Sequence, residues 1–326
     1  MVSPRELRER WTPERAAHAK KALEHPRRWK AIEKVAFGQH EGRWDLRGLT
    51  IHTNVQGVTE KHVQVAGIER DYTFVTLDKP PEFHKVKWQS IDFSYSEIDH
   101  LRLFLSELRD CAFTGGTFRY WRSWGVRFMN CDFSESDLQN SNIGGAPYKG
   151  RDVEYINCHW RSGNMKSASL SDGKYRDCQF EAVTLANEQV INASFVRCIF
   201  SGSLTEIMFD GRDHKSTFPW RVRPDAFSEC DLRNAALDDV EFIGIDTRSL
   251  RLPDHGQRIP RFVAVARRAF DWITTAELPP NEARYLEMCW KCHVTQLPDD
   301  AEGWLDLDSL DAHSRGLIEA SIADGL

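Results

Sequence analysis

A large apolar residue recurs at every fifth position through the middle of this 326-residue chain. Of the 25 positions in the series, 24 carry a large apolar side chain, and Ser123 is the exception. A period of five fits neither a helix of 3.6 residues per turn nor an alternating strand. It indicates a chain that turns a corner every five residues. The series has three registers: Phe93, Ile98, Leu103, Leu108, Phe113, Phe118, Ser123, Phe128, Phe133, Leu138 and Ile143; then Tyr155, Trp160, Met165, Leu170, Tyr175, Phe180, Leu185, Val190, Phe195 and Phe200; then Phe227, Leu232, Leu237 and Phe242.

The position two residues before most of these centres is small or narrow, as at Ser96 and Gly116. We therefore expect each five-residue side to point one small and one large side chain inward and three side chains toward water. Four such sides close one square coil of twenty residues. Trp121 and Glu188 occupy small positions and break the pattern. Because burial of a carboxylate is costly, we expect the wall to bulge near Glu188.

Five of the eight cysteines lie at twenty-residue spacing within the first two registers, and each of the five stands two residues before a large ring. Cysteine behaves as a small, readily buried hydrophobe, so the pattern predicts a structural ladder inside the coil. Redox or metal chemistry at these thiols is the alternative. The ladder consists of Cys111, Phe113, Cys131, Phe133, Cys158, Trp160, Cys178, Phe180, Cys198 and Phe200.

These motifs resemble those of the pentapeptide-repeat family over about residues 83–247. The resemblance implies a mainly β fold, a right-handed quadrilateral β-helix. One group within that family protects type II topoisomerases, such as DNA gyrase, from inhibitors. Its rods look like duplex DNA in width and charge, and loops leaving the coil engage the enzyme. The resemblance therefore implies a DNA topoisomerase as one candidate partner.

Two interruptions of the twenty-residue spacing predict loops, near residues 144–150 and 208–223. Phe133 and Trp160 are 27 residues apart, and Phe200 and Leu232 are 32 apart. Loops on a rigid scaffold are common binding elements, although neutral insertion is the alternative. The candidate partner-binding residues are Tyr148, Lys149, Arg212, His214, Lys215, Trp220, Arg221 and Arg223.

The flanks of the repeat have helical patterns. Ser3 and Thr12 each precede a proline, which is typical of an N-cap followed by the first helical residue. The C-terminal helices are candidates for capping the coil, for forming a homodimer or for binding a partner. The predicted regions are a helical segment at 1–43, an irregular β lead-in or first coils at 44–82, the β-helix at 83–248 and a helical cap at 249–326.

Cys289, Cys292 and His293 match the CxxCH pattern of covalent haem attachment. That chemistry needs export, and the N-terminus has no apolar signal segment. A zinc site needs a fourth ligand, and none stands at a recognisable spacing. On a helix the three side chains share one face, which favours burial in the core. We expect no cofactor, with a metal site at these three residues as the weak alternative.

The charge is uneven along the chain. The formal net charge is -6, which divides into +5 over residues 1–90, -6 over 91–248 and -5 over 249–326. A net charge of -6 over residues 91–248 is a weak imitation of DNA, which carries one charge per ~1.7 Å of axis. No stretch approaches ~18 uninterrupted apolar residues, so we expect no membrane span. The expected location is the cytoplasm, where cysteines stay reduced.

The sequence contains no GxGxxG, P-loop, GxSxG or HExxH motif, so we expect no enzyme. The leading hypothesis is a non-catalytic scaffold of the immunity or regulatory type. It would bind a protein partner through its outer walls, loops and flanking helices, without direct contact to nucleic acid. The alternatives are a DNA-mimicking binder of DNA gyrase and a small metal-binding activity in the C-terminal helices.

Overall fold

The computed structural model describes residues 2–25, 29–65, 68–214, 216–218, 221–223, 225–308 and 310–323, without the side chains of Trp29, 60–65 and 68–75. Within these residues the helices are α1 (Pro4–Glu9), α2 (Pro13–Leu23), α3 (Trp29–Val35), α4 (Phe262–Ile273), α5 (Pro280–Lys291) and α6 (Ala312–Ala323). A 3-10 turn covers Thr247–Ser249. No helix in the described part of the chain is long and apolar enough to cross a membrane.

Most strands are short, and they follow one another at intervals set by the repeat. In chain order they are β1 (Gln39–His40), β2 (Arg43–Asp45), β3 (Asn54–Val65), β4 (Ile68–Asp78), β5 (Glu82–His84), β6 (Lys87–Gln89), β7 (Ile91–Asp92), β8 (Arg102–Phe104), β9 (Glu107–Arg109), β10 (Arg122–Trp124), β11 (Arg127–Met129), β12 (Val153–Ile156), β13 (His159–Arg161), β14 (Gly173–Arg176), β15 (Gln179–Ile191), β16 (Ser194–Val196), β17 (Ile199–Asp210), β18 (Phe227–Ser228), β19 (Asp231–Ile243), β20 (Gln257–Ile259) and β21 (Gly303–Leu305).

The repeat strands pair in parallel, each with a partner twenty residues further along the chain in the uninterrupted stretches. One ladder runs through β5, β8 and β10, where Phe83 lies opposite Leu103 and Leu103 opposite Ser123. A second, seven-stranded ladder includes β6, β9 and β11. Single parallel bridges join Asp92 to Ala112 and Glu97 to Thr117 and form two further ladders. Each twenty-residue turn of the chain therefore contributes to four parallel ladders.

The corners between ladders are made by backbone in the left-handed region. The residue two positions after 24 of the 25 centres has a positive φ, for example 61° at Tyr95, 59° at His100 and 51° at Leu105, and Asn234 is the exception. Side chains other than glycine and asparagine adopt this region at a cost, so the surrounding structure must impose it. The same conformation at every fifth residue turns the chain by a repeated local step.

The inward side chains form one continuous core. All 25 centres are at most 6% exposed, and the six ladder cysteines through Cys230 are fully buried. Rings in successive coils stack face to face: the Phe113 and Phe133 centroids are 5.0 Å apart, and those of Trp160 and Phe180 are 4.7 Å apart. Burial raises the pKa of the Cys158 thiol well above its usual range. The thiols are free and packed among apolar neighbours.

Trp121 and Ser123 exchange the usual small and large positions of one side. Both are buried, and the indole N–H of Trp121 donates to Ser123 Oγ at 2.8 Å. The Trp121 ring lies 5.3 Å from Phe113 and 5.9 Å from Phe128, centroid to centroid. The large ring thus enters the core from the small position, and the serine at the centre leaves room for it.

The prediction of a bulge near Glu188 is wrong in its position. The pairing register instead shifts between Phe180 and Val183, and again between Ile199 and Ser201. Glu188 stays in regular pairing with Ile207 and is only half-buried, and its Oε1 accepts a hydrogen bond from Ser169. The carboxylate is therefore partly hydrated and hydrogen-bonded, so the wall need not deform around it.

The chain before residue 83 contributes an additional layer to the ladders. Trp44 pairs in parallel with Ile91, and Thr50 forms a parallel bridge with Glu97. Between these contacts and β5, the strands β3 and β4 form an antiparallel hairpin. The N-terminal helices lie against this end, where Trp88 donates its indole N–H to Leu23 O at 3.0 Å.

The C-terminal segment is not wholly helical. Arg251 extends one parallel ladder beyond Asp231, and β20 pairs antiparallel with β21. Helices α4, α5 and α6 form a second apolar cluster with Trp290 at its centre. The ring of Trp304 in β21 packs edge-on against Phe242 at 6.0 Å and joins this unit to the last coil.

Candidate functional site

The first interruption forms a tight turn beside two walls of the coil. Tyr148 and Arg151 exchange two backbone hydrogen bonds of 2.9 and 3.1 Å. Lys149 and Gly150, at the tip, both have positive φ, as in a type I′ turn. Lys149 is therefore presented to solvent by a fixed backbone, while the Tyr148 ring turns back toward the wall. The two candidate residues of this loop lie together.

The Tyr148 ring meets a column of outward-facing rings that the sequence reasoning missed. Strands β5, β8 and β10 place His84, Phe104 and Trp124 in register on the outer surface. Their rings stack with centroids 4.6 and 4.5 Å apart and planes within 5° of parallel. Tyr148 lies edge-on to Phe104 at 5.8 Å. Reading every column of the sequence at twenty-residue spacing, rather than the inward columns alone, reveals this set.

A cleft of about 950 Å³ separates the first loop from the neighbouring wall. Cations from two coils and from the loop line it, and so do three carboxylates. The basic residues are Lys85, Lys87, Arg127, Lys149 and Arg151, and the acidic ones are Glu107, Asp152 and Glu154.

The second interruption is a hairpin that leaves the wall after Asp210. The predicted loop began at residue 208, but Met208 and Asp210 still pair within β17. Arg223 N donates to Gly211 O at 2.8 Å, Asp213 N donates to Arg221 O at 2.7 Å, and Arg212 bridges to Val222. The extra residues therefore begin at Gly211, and the base of the loop is ordered by backbone pairing.

Asp210 fixes the base of the hairpin. Its side chain is fully buried and accepts hydrogen bonds from Arg212 Nη2 at 2.6 Å and His214 Nε2 at 2.9 Å. Burial opposes ionisation of this carboxyl, but the His214 and Arg212 hydrogen bonds outweigh it and lower the pKa of Asp210 to about 2. Arg223 completes the anchor by donating to Ala193 O at 2.8 Å. Three of the candidate partner-binding residues, Arg212, His214 and Arg223, thus hold the loop in place.

The Asp210–Arg212 contact belongs to a recurring Asp-x-Arg motif. In this motif the arginine stands two positions after the aspartate. Its Nε and Nη2 atoms donate to the two carboxylate oxygens. The same contact occurs at Asp45–Arg47, Asp231–Arg233 and Asp246–Arg248. The spacing is readable in the sequence, although the buried setting of Asp210 is not.

The tip of the second hairpin presents an aromatic side chain and a cation. Phe218 is 55% exposed, which is unusual for a phenylalanine in this chain. Arg221 has a 62% exposed side chain and stands 3.9 Å from Asp213. Phe218 was not among the candidates predicted from the sequence. Two that were predicted, Lys215 and Trp220, lie outside the described residues.

The root of the second hairpin also meets the CxxCH segment. Met208 and Arg212 share a cavity of about 520 Å³ with Cys289, Cys292 and His293. His293 is buried and packs edge-on to Phe262 at 4.9 Å, while both cysteines are half-buried. Two features that are far apart in the sequence are therefore neighbours in space.

The chemistry of this cavity disfavours a reactive thiol. Burial raises the pKa of Cys289, and burial with the nearby Glu241 raises that of Cys292 to about 12. Burial and the Arg212 charge lower the pKa of His293 to about 4. Thiols with such pKa values are protonated at neutral pH, and the thiolate is the metal ligand and nucleophile. Among the described residues, no group of three His, Cys, Asp or Glu side chains is placed to hold a metal ion.

Taken together, the fold is mainly β, with parallel ladders that repeat every twenty residues, and its candidate contacts lie on outward loops. No protein-family model matches the chain, and no curated protein matches it. Among solved structures it is similar to QnrB1, a plasmid-mediated fluoroquinolone resistance protein, with 18% identity over 53% of this chain and 82% of that one, at a TM-score of 0.21.

A second likeness is to HetL, a pentapeptide repeat protein involved in heterocyst differentiation regulation from the cyanobacterium Nostoc sp. strain PCC 7120. The identity is 11%, over 53% of this chain and 90% of that one, at a TM-score of 0.19. With identities and TM-scores this low, neither likeness assigns a function to this chain.

Proposed function

We propose that this chain is a non-catalytic scaffold, a right-handed quadrilateral β-helix of the pentapeptide-repeat type, that binds a protein partner through the tip of its second hairpin. The four parallel ladders and the left-handed corners support the four-sided coil. The filled core leaves the binding surface to the outer walls and loops.

The observation that carries the proposal is the way Asp210 clamps the hairpin while its tip stays exposed. Arg212, His214 and Arg223 are engaged at the base, so the hairpin starts from a hydrogen-bonded backbone, and Phe218 and Arg221 are exposed beyond it. Aromatic and arginine side chains dominate binding energy at interfaces, and pre-ordered loops lose less conformational freedom on binding.

Affinity purification of the tagged chain from the cells that express it, with mass spectrometry of the retained proteins, tests the proposal. We expect a specific partner that is lost with the double variant Phe218→Ser/Arg221→Glu. Val58→Ser is the matched control, because Val58 is 60% exposed and lies on the β3–β4 hairpin. A partner retained equally by all three proteins would contradict the role of the hairpin tip.

Topoisomerase binding is the second candidate, and the two loops leaving the ladders favour it. The wall electrostatics disfavour it. Arginines neutralise carboxylates of adjacent coils, as at Arg161–Glu181 (2.8 Å) and Arg197–Asp177 (2.7 Å), so these carboxylates do not add to a DNA-like anionic surface. A metal-dependent activity at Cys289 and Cys292 has the least support, given their raised thiol pKa values.

A further inference from the structure

We infer that the cleft beside the first loop binds an acidic peptide segment of a partner protein. The cleft is the space of about 950 Å³ between the Tyr148–Arg151 turn and the walls that carry Lys85 and Lys87. The inference rests on the proposed function, because it names the chemistry of a partner that the scaffold would hold.

The charge of the cleft is positive because its carboxylates already have partners. Glu107 lies 3.5 Å from Arg109, Glu154 lies 2.7 Å from Arg127, and Asp152 lies 2.5 Å from Lys174. By contrast, the other cations of the cleft make no ion pair with a described residue. These four are Lys85, Lys87, Lys149 and Arg151.

The four uncompensated cations come from two sources that the fold brings together. Lys85 and Lys87 lie at and after a corner of an early coil, while Lys149 and Arg151 belong to the turn. The Lys149 ammonium stands 5.5 Å from the Tyr148 ring centroid. Like charges held in one cleft without counter-charges favour an anionic occupant. Lys149 and Arg151 are thus free cations within residues 91–248, a segment whose net charge is -6.

The lack of open aromatic faces favours an acidic peptide over a single-stranded nucleic acid. Among the described residues, no aromatic side chain lines the cleft. In the neighbouring column of rings, Phe104 is stacked on His84 on one side and on Trp124 on the other, so both of its faces are covered. Single-stranded nucleic acids bind by stacking bases on open aromatic faces, which this cleft does not offer.

Fluorescence anisotropy tests the inference on the full-length protein. The probes are a fluorescein-labelled peptide rich in Asp and Glu and a labelled oligodeoxythymidylate. We expect the acidic peptide to bind, its affinity to fall as salt is added, and the double variant Lys149→Glu/Arg151→Glu to bind about tenfold more weakly. Lys166→Glu is the control, because Lys166 is also exposed but lies on another part of the wall. Circular dichroism verifies that each variant is folded.

Three outcomes would overturn the inference: no binding of the acidic peptide, equal binding by the double variant, or tighter binding of the oligodeoxythymidylate. Sedimentation of the unlabelled protein adds a fourth. Self-association that disappears in the double variant would assign the cleft to a second copy of this chain. The hairpin proposal stands apart from these results, because capture of a partner that depends on Phe218 does not involve the cleft.

Discussion

Trp121 and Ser123 occupy each other's usual positions, and the indole N–H of Trp121 donates to the Ser123 hydroxyl at 2.8 Å. The two residues are two positions apart on one side of the coil and are both buried. One departure from the repeat therefore compensates the other, in volume and in hydrogen bonding.

This compensation predicts strong coupling between two substitutions. Trp121→Ser should destabilise the protein by about 3–5 kcal/mol, because it opens a large cavity. Ser123→Phe should cost about 1–3 kcal/mol through overpacking. The double variant restores the ordinary small-large order. We expect its loss of unfolding free energy to be smaller than the summed losses of the two single variants by at least about 1 kcal/mol. Urea denaturation of all four proteins measures the cycle, and strictly additive losses would contradict the exchange.

The clamp at Asp210 predicts a local effect on the second hairpin. Asp210→Asn weakens the hydrogen bonds to Arg212 and His214, so residues 211–223 should open more often. Trypsin cleavage after Arg212 or Arg221 should become several-fold faster than in the parent protein. Asp231→Asn is the matched control, because Asp231 holds Arg233 through the same motif at a more exposed site. Equal protease resistance in both variants would mean that the clamp does not order the hairpin.

Buried His293 predicts an acid-sensitive stability. Its pKa is about 4 in the folded chain, below the ordinary value of 6.5. As pH falls from 6.5 toward 4, the unfolded chain takes up a proton that the folded chain does not, so stability is lost in that window. The loss between pH 6.5 and 4.5 should be about 2 kcal/mol.

Urea denaturation across that pH range, with the variant His293→Gln, isolates the contribution of His293. The variant should lose this part of the pH dependence, while His18→Gln, at an exposed position on α2, should retain it. A parent protein and a His293 variant with parallel stability curves would refute the assignment.

The ladder cysteines should be chemically inert in the folded protein. Cys111, Cys158 and Cys198 are buried, and burial raises the pKa of each thiol. Iodoacetamide should leave them unmodified, while half-buried Cys289 reacts slowly. Peptide mass spectrometry distinguishes these thiols, with the urea-unfolded protein as the positive control. Rapid labelling of Cys158 in the native state would show that the coil opens.

The topoisomerase alternative predicts an effect on DNA gyrase. A supercoiling assay with and without a quinolone, at micromolar protein, measures it directly. Because arginines neutralise wall carboxylates such as Glu181, we expect neither inhibition nor protection. Protection that vanished with Phe218→Ser would instead establish gyrase as the partner of the second hairpin.

Two predictions from the sequence, on oligomeric state and on cellular location, stay predictions. Dimerisation through the C-terminal helices is a prediction for sedimentation of the purified chain. Residence in the cytoplasm is a prediction for fractionation of the cells.

The spacing of apolar residues was enough to predict the core, because inward positions in a repeat are set by local geometry. Every centre from Phe93 to Phe242 is buried. Where function is concerned, the sequence predicted that loops exist, and its candidate partner-binding residues stay predictions. Arg212 and Arg223 hold the hairpin base rather than its tip, because buried Asp210 lies beside them.

Other features depend on contacts between distant parts of the chain, which no local pattern encodes. The pairing of β20 with β21 joins segments more than forty residues apart. The meeting of Arg212 with Cys292 depends on how α5 packs over the last coil. The column of His84, Phe104 and Trp124 was readable at twenty-residue spacing once outward positions were considered.

The β3–β4 hairpin shows how such a chain can change length during evolution. Asn54 and Asp78, its first and last residues, pair directly across from each other. The chain therefore leaves the ladders and returns to them at nearly the same place. Thr50 and Glu97 are 47 residues apart in sequence and yet bridge in parallel, as neighbours twenty apart do elsewhere. A hairpin of another length or sequence could replace this one without altering the register of any coil. Lineages can therefore diversify this arm while the body of the protein is inherited unchanged.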